Sequence, residues 1–423
     1  MKEYGNLTTA ELTSELEATR KEYDEICALK LSLDLTRGKP ATEQLDLSDG
    51  MFATINNDFV MDGVDVRNYG MLGGLPSTKK LFAELLDCKP EQVFIGGSAS
   101  LAMMYDLISK AMVFGLPMSV RPWDREEHIR FMCPVPGYDR HFTINRSFGF
   151  EMIPIPMTED GPDMDLVEKY ANEKGVKGIW CVPKYSNPDG FVYSEETCKR
   201  FASMKTAEPD FLIMWDNAYC VHSLYGEPAY LPSIISLCAE SGNADRVFEF
   251  ASTSKVTYAG SGISAIAGSQ DNIAWYKKLA GAQIISYSKL MELAHVRFLK
   301  DKATTVKHMA KHAEILRPKF EAVISELNLQ LAPRGIAHWH DPKGGYFVSL
   351  YVMPHTAKRV AKLCLDAGVK LTAAGATYPG GEDPEDSNLR IAPSYAQLDD
   401  VKQAAKVLCI AARLAALEQL AKS

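Results

Sequence analysis

A lysine that could react with a carbonyl follows one of the apolar runs of the sequence. Residues 247–250 lead into Ala251-Ser252-Thr253-Ser254-Lys255, so a strand would deliver the lysine through a series of hydroxyl groups. A lysine amine attacks a carbonyl near neutral pH only when it can lose its proton, which a partly desolvated site with positive neighbours promotes. Most lysines in serine-rich loops are simply solvated, so this segment alone leaves both interpretations open.

A carboxylate and an amide follow two other apolar runs. Residues 211–215 end in Asp216-Asn217-Ala218-Tyr219, and residues 178–183 lead to Asn187. A carboxylate at the mouth of a buried strand is costly unless a cation or a strong donor meets it. Asp216 is therefore predicted either to face a protonated ring nitrogen, with Tyr219 on the same turn, or to cap the next helix. Asn187 could donate a neutral hydrogen bond, although Asn-Pro also starts ordinary turns.

Small residues separate residues 92–95 from a predicted helix. The segment Gly96-Gly97-Ser98-Ala99-Ser100 would let backbone N–H groups and the helix dipole approach a phosphate closely. It has neither the lysine of a nucleoside-triphosphate loop nor the glycine spacing of a dinucleotide loop. The sequence thus predicts a different phosphate-bearing ligand, or merely a tight strand-to-helix turn.

The elements that position these loops alternate between short apolar runs and helical stretches, which is typical of βαβ units and a largely parallel sheet. Several runs are almost continuously apolar, as strands covered by helices on both faces should be. We expect a three-layer α/β/α fold with a mostly parallel seven-stranded sheet, followed by a smaller α+β domain. The predicted large domain covers residues 50–300, and residues 1–49 with 301–423 form the small one. The first helix is predicted over residues 9–31, with Thr9 as its N-cap. The predicted strands cover residues 92–95, 130–133, 152–155, 178–182, 211–215, 247–250 and 263–267 in the large domain and 346–352, 369–372 and 389–392 in the small one, before a helix from Leu398.

Composition excludes several classes of protein. The net charge of -8 argues against binding driven by the charge of nucleic acid or of an anionic membrane. The nine cysteines occur singly, which fits a reducing compartment, and the polar N-terminal residues predict a cytoplasmic protein.

The histidine pairs do not predict a metal site. His308 and His312 lie one helical turn apart without the glutamate of a zinc motif, and His338-Trp339-His340 is interpreted as a strand edge.

Taken in order, these loops resemble those of the pyridoxal-phosphate-dependent aminotransferases of fold type I, class I/II, over nearly the whole chain. The resemblance rests on Tyr69-Gly70 with Gly73-Gly74-Leu75, Gly97-Ser98-Ala99, Pro136-Gly137-Tyr138, Asn187-Pro188-Asp189-Gly190, Asp216-Asn217-Ala218-Tyr219, Ser252-Thr253-Ser254-Lys255, Gly344-Gly345-Tyr346-Phe347 and Asn388-Leu389-Arg390-Ile391. Eight such segments in the family's order identify it far better than any one of them.

The resemblance implies roles around the cofactor, pyridoxal 5'-phosphate. Lys255 is similar to the imine-forming lysine, and Asp216 to the acid that keeps the pyridine nitrogen protonated. Tyr219 and Asn187 resemble the pair that binds the phenolic oxygen. Tyr138 matches the aromatic residue that stacks on the ring.

It also implies a phosphate cup, a substrate site and a second subunit. The cup corresponds to Gly97, Ser98, Ala99 and Ser252. Arg390 resembles the guanidinium fork that grips the substrate α-carboxylate, with Gly38 and Asn187 in the same site. Tyr69 resembles the tyrosine that crosses from the second subunit to the cofactor phosphate, so a homodimer with shared active sites is implied.

One departure from the family points to a branch within it. The usual phosphate-binding arginine, seven or eight residues after the lysine, is replaced here by Gly262 and Ile263, so the cup must compensate, for instance through Ser261. Together with Thr36-Arg37-Gly38-Lys39-Pro40, this resembles the divergent branch related to the MocR-type regulators, which contains aspartate aminotransferases and carries an alanine-glyoxylate aminotransferase label.

The resemblance predicts ping-pong transfer of an amino group, from aspartate to 2-oxoglutarate, through the imine of Lys255. A distal substrate carboxylate needs a second cation, for which Arg37, Lys39 and Lys289 are candidates. The alternatives are another pyridoxal-phosphate reaction, such as β-elimination or decarboxylation, or alanine or aromatic donors. A non-enzymatic MocR-like effector module needs an appended DNA-binding domain, for which the segment before Arg37 is too short.

Overall fold

The computed structural model describes residues 2–422 of the chain. The helices are α1 (Thr9–Cys27), α2 (Thr42–Asp46), α3 (Pro76–Leu86), α4 (Ser100–Phe114), α5 (Asp139–Ser147), α6 (Met164–Ala171), α7 (Glu195–Ser203), α8 (Ile234–Glu240), α9 (Gln270–Ala280), α10 (Lys289–Leu299), α11 (Lys302–Gln330), α12 (Ala357–Asp366) and α13 (Leu398–Leu420). The strands are β1 (Leu33–Asp34), β2 (Val60–Met61), β3 (Val64–Asp65), β4 (Val93–Ile95), β5 (Arg130–Val135), β6 (Glu151–Thr158), β7 (Gly161–Pro162), β8 (Val176–Cys181), β9 (Leu212–Asp216), β10 (Val247–Ser252), β11 (Ser264–Gly268), β12 (Ala337–Trp339), β13 (Val348–Val352), β14 (Val369–Lys370) and β15 (Asn388–Ile391). No helix within these residues is long and apolar enough to cross a bilayer.

The central sheet has the strand order β4-β11-β10-β9-β8-β5-β6-β7. The run from β10 to β6 is parallel, whereas β11 is antiparallel to both of its neighbours. The predicted, mostly parallel sheet is confirmed, and each of its seven predicted strands is present. The eighth strand, β7, is two residues that pair antiparallel with the end of β6, too short for a hydrophobic pattern to reveal.

Helices cover both faces of this sheet, which gives the predicted three layers. One apolar cluster joins alternate strand residues such as Met214 and Phe250 to α4, α5 and α9. The opposite cluster joins Trp215 and Ala251 to α3, α6, α7 and α8. Because successive strand residues point to opposite faces, Asp216 at the end of β9 lies on the side of Met214 and Phe250.

A second, three-stranded antiparallel sheet has the order β12-β13-β15 and packs with α1, α11, α12 and α13 around another apolar cluster. The predicted edge position of His338-Trp339 is confirmed, since β12 lies at the edge of this sheet. The proposed division into residues 50–300 and the remainder stays a prediction.

The first helix differs from its predicted bounds. Thr8, not Thr9, is the N-cap, and it forms a capping box in which Thr8 N donates to Glu11 Oε2 at 2.8 Å. The helix ends at Cys27 instead of residue 31. The capping box decides the start because Glu11 satisfies a backbone donor only when Thr8 occupies the cap.

Candidate active site

A cavity of about 190 Å³ lies at the carboxyl ends of β8 and β9, beside the loop that follows β10. Its lining includes seven of the residues predicted from the sequence: Gly38, Tyr138, Asn187, Asp216, Tyr219, Lys255 and Arg390. A larger cavity of about 770 Å³, lined among others by Lys184, Asn217 and Glu249, contains none of the predicted site residues. Volume is thus a poor guide here, and the smaller cavity is where the reactive side chains converge.

Asp216 is the last residue of β9 and is almost completely buried. Its Oδ2 is 3.0 Å from Nε2 of His141, and the His141 ring stacks on Trp180 with centroids 4.3 Å apart. Its Oδ1 is buried and has no hydrogen-bond partner among the described residues. A buried carboxylate oxygen without a donor is costly, so this site is built for a ligand that supplies one.

Lys255 lies in the turn that follows β10, with Nζ 5.1 Å from the centroid of the Tyr219 ring and 5.9 Å from that of Tyr346. Burial lowers the pKa of the Lys255 amine, and the negative charge of Asp216 opposes this shift. Within residues 2–422 no carboxylate forms an ion pair with Lys255. The amine therefore loses its proton more readily than a solvated lysine does, as a nucleophile for carbonyls requires.

Two polar side chains border the same cavity. Burial raises the pKa of Tyr219 well above its usual range, so its hydroxyl stays protonated and can donate. Asn187 is buried, and its Oδ1 accepts from Nη1 of Arg390 at 3.4 Å, which leaves its amide nitrogen as a donor. Burial likewise raises the pKa of Tyr138 to about 12, and this ring packs edge-on against His141. The arrangement offers neutral donors beside the carboxylate of Asp216.

Arg390 extends from β15 into the cavity, where its guanidinium lies 4.9 Å from the centroid of the Phe347 ring. Its Nη1 also donates to Oδ1 of Asp139 at 2.9 Å. Gly38 packs against the same ring, because a Cβ atom there would lie 2.3 Å from Cζ of Phe347. A glycine at position 38 thus keeps Phe347 under the guanidinium.

The predicted phosphate cup lies beside the lysine loop. Ser252 Oγ donates to Ser254 Oγ at 3.1 Å, and Ser254 Oγ donates to the carbonyl of Ser98 at 3.0 Å. Helix α4 begins just after Ala99, and no side chain caps its N-terminus. Free N–H groups and hydroxyls at a helix start suit a phosphate.

The missing arginine has a steric explanation. A Cβ atom on Gly262 would lie 3.1 Å from Thr253 Oγ1 and 3.2 Å from the backbone nitrogen of Ser254. Ile263 is buried in the apolar cluster on the opposite face of the sheet. Neither position can therefore hold a long cation toward the cup without a change in the loop, and the suggested compensation by Ser261 stays a prediction.

The remaining predicted residues lie outside the cavity. Tyr69 is 79% exposed and does not line it. Of the suggested distal cations, Arg37 is exposed, Lys39 lies over the Tyr395 ring, and Lys289 donates to the carbonyl of Gly70. None of the three lines the cavity within this chain.

The cavity contains Arg140 instead, which is exposed and forms no ion pair within residues 2–422. Sequence reasoning missed Arg140, along with Asp139 and His141. All three follow Tyr138 in the first turn of α5. A signal for these residues was present in the sequence: when a helix begins next to a residue that faces the ligand, the residues of its first turn lie near the site.

Comparison with known proteins agrees with this geometry. Residues 7–423 match the family model for "Aspartate amino-transferase". An aspartate aminotransferase from Corynebacterium glutamicum is 46% identical over 96% of this chain and 94% of its own length. A solved aspartate transaminase from the same organism superposes with a TM-score of 0.97 at 45% identity, covering 99% of both chains. The α-aminoadipate aminotransferase LysN from Thermus thermophilus, solved with N-(5'-phosphopyridoxyl)-L-leucine, has a TM-score of 0.74 at 21% identity over 95% of both chains and shares the fold. The chain is an enzyme of the aspartate aminotransferase family.

Proposed function

We propose that this enzyme uses pyridoxal phosphate to transfer the amino group of an acidic amino acid, aspartate, to 2-oxoglutarate. One observation carries the proposal: a lysine of lowered pKa and a carboxylate with an unpartnered buried oxygen line the same cavity, Lys255 and Asp216. The name of the Corynebacterium glutamicum relative supports aspartate as the donor.

The residues around the cavity fit the cofactor. Oδ1 of Asp216 lacks a donor, which a protonated pyridine nitrogen supplies, and His141 fixes the other oxygen. Tyr219 and Asn187, which line the cavity, would donate to the phenolic oxygen, and Tyr138 would contact the ring. The hydroxyls of Ser252 and Ser254 with the uncapped start of α4 would hold the phosphate. When bound, the cofactor supplies an electron-withdrawing ring that stabilises negative charge at the substrate Cα.

Lys255 has two tasks in this proposal. It would hold the cofactor covalently, and its amine, when free, would move the proton at the substrate Cα. The lowered pKa favours the basic, uncharged form of that amine. Nζ lies 5.1 Å from the centroid of the Tyr219 ring and 5.9 Å from that of Tyr346, and the two centroids are 6.2 Å apart, so both rings lie on the same side of the amine.

Two arginines fit a dicarboxylic substrate. Arg390, supported by Phe347, binds the α-carboxylate, for which a planar guanidinium offers two parallel hydrogen bonds. Arg140 lies at the same cavity without an ion-pair partner and binds the distal carboxylate. This charge pattern favours aspartate and glutamate over alanine or aromatic donors.

The purified protein tests this proposal through its absorbance and its products. Lys255→Ala is expected to abolish the absorbance of covalently bound cofactor and the turnover, while Lys343→Ala, at an exposed lysine, retains both. Substantial transamination by Lys255→Ala contradicts the proposal. Keto-acid formation without release of ammonia or carbon dioxide separates transamination from β-elimination and decarboxylation. If alanine or an aromatic amino acid serves as donor while aspartate and glutamate both fail, the acidic substrate is wrong.

We also propose a homodimer in the cytoplasm. Tyr69 is exposed and lies outside the cavity of its own chain, and the contact of Lys289 with Gly70 places this loop next to α10, where Leu290 and the preceding Ile285 are exposed. An apolar surface of this kind suits a second subunit to which Tyr69 reaches. Sedimentation equilibrium tests the dimer: a monomeric mass contradicts it.

All nine cysteines are free thiols, which supports a reducing compartment and hence the proposed location in the cytoplasm.

A further inference from the structure

Arg390 forms an ion pair with Asp139 inside the cavity. Nη1 of Arg390 donates to Oδ1 of Asp139 at 2.9 Å and to Oδ1 of Asn187 at 3.4 Å. The Arg390 side chain is 8% exposed and that of Asp139 34%. One terminal nitrogen of the guanidinium is therefore occupied by protein acceptors.

The edge of the guanidinium formed by Nε and Nη2 has no hydrogen-bond partner within residues 2–422. Nε of Arg390 is buried without a partner, and Nη2 makes no hydrogen bond within residues 2–422. The N–H groups of Nε and Nη2 point in parallel, the geometry that a carboxylate accepts with both oxygens. Of the two edges of the guanidinium that can bind a carboxylate with both oxygens, only this one has no protein acceptor within residues 2–422.

The ion pair connects two parts of the fold. Asp139 is the first residue of α5, which packs on the eight-stranded sheet, whereas Arg390 belongs to β15 of the three-stranded sheet. Phe347 supports the face of the guanidinium but does not fix its rotation in the plane of that face. A charged acceptor on Nη1 does fix this rotation.

We propose that Asp139 is a positioning residue, which holds Nη1 of Arg390 so that the Nε–Nη2 edge faces the substrate α-carboxylate. This inference rests on the proposed function, in which Arg390 binds that carboxylate. It assigns Asp139 a favourable effect on substrate binding although its charge has the same sign as the ligand. If Asp139 instead only occupied Arg390 until the substrate displaced it, Asp139 would weaken substrate binding.

The direction in which the affinity for succinate changes when Asp139 is removed separates these two roles. The experiment measures the Kd of succinate for the holoenzyme by calorimetry, since succinate carries both carboxylates but no amino group to transfer. Asp139→Ala is expected to weaken binding about tenfold, the equivalent of one charge-assisted hydrogen bond, and Asp139→Glu to restore part of the loss. Asp165→Ala is the matched control, because Asp165 also lies in the first turn of a helix and pairs with an arginine, Arg200, away from the cavity.

Turnover provides a second readout. Asp139→Ala should raise the KM for aspartate with little change in kcat, because the α-carboxylate is held equally in the ground and transition states. Tighter or unchanged succinate binding in Asp139→Ala overturns the inference. Failure of the proposed function looks different: the wild-type protein then shows no bound-cofactor absorbance or no transamination, whatever the succinate titrations give.

Discussion

Replacing Glu249 with glutamine should change the free energy of unfolding, relative to the wild type at the same pH, more favourably at pH 7.5 than at pH 5. Glu249 is a residue of β10 that is 2% exposed, and Nδ2 of Asn217 donates to its Oε1 at 2.8 Å. Its Oε2 accepts no hydrogen bond from any residue between positions 2 and 422. Burial raises the pKa of this carboxyl from 4.5 to about 8, more than the hydrogen bond from Asn217 lowers it.

The sign follows from proton binding. Below pH 4.5 both the folded and the unfolded states carry the proton on Glu249. Between pH 4.5 and about 8 only the folded state keeps it, so stability falls as pH rises, by about 1.4 kcal/mol per pH unit. Glutamine is uncharged at every pH and removes this dependence. From pH 5 to pH 7.5 the difference in the free energy of unfolding between Glu249→Gln and wild type should therefore increase by about 3 kcal/mol.

Urea denaturation at a series of pH values measures this quantity, and comparing the two pH values cancels any constant effect of the amide. Glu240→Gln, at an exposed position on α8, is the control for removing a solvated carboxylate. A difference between Glu249→Gln and wild type that stays constant from pH 5 to pH 7.5 would refute the reasoning, because Glu249 would then ionise alike in both states.

Three substitutions around the cavity have distinct expected results. Arg140→Gln should raise the KM for aspartate about tenfold but leave that for alanine unchanged, which steady-state kinetics with both donors would check. His141→Asn should lower kcat by about tenfold or more, since Asp216 loses the hydrogen bond that fixes its carboxylate; the absorbance of bound cofactor should persist, and an unchanged kcat would contradict this role. Gly38→Ala should raise the KM of every donor, because the new methyl group displaces Phe347 from under the guanidinium, with a stability loss of about 1–3 kcal/mol in thermal unfolding.

Local patterns in the sequence were sufficient for seven of the eight strands of the large sheet and for the position of the loops that follow them. The apolar runs before Asp216 and Lys255 form β9 and β10, which pair in parallel and bring both residues to one edge. A strand buried on both faces leaves a continuous apolar signature, so such elements are readable without contacts. The start of the first helix was also a local signal, because the T-x-x-E spacing of a capping box begins at Thr8, whose N donates to Glu11, whereas Leu12 stands three residues after Thr9.

Contacts between distant segments were decided only by the tertiary structure. The pairing of His141 with Asp216 and of Asp139 with Arg390 joins residues far apart in the chain, and no spacing rule encodes such pairs. The distal cation is a further case: Arg37, Lys39 and Lys289 are as plausible as Arg140 by residue type, yet only Arg140 lines the cavity of this chain.

The sequence by itself therefore indicated where the strands and their polar loops lie, because strand periodicity is a local property of the chain, and the family resemblance then implied the roles of the loop residues. Only the tertiary structure decided how those residues are held, which oxygen of Asp216 lacks a donor and which edge of Arg390 lacks an acceptor. The first depends on α5 packing beside β9 and the second on contact between the two sheets, and the orientation of a side chain is set by neighbours that the linear order does not reveal.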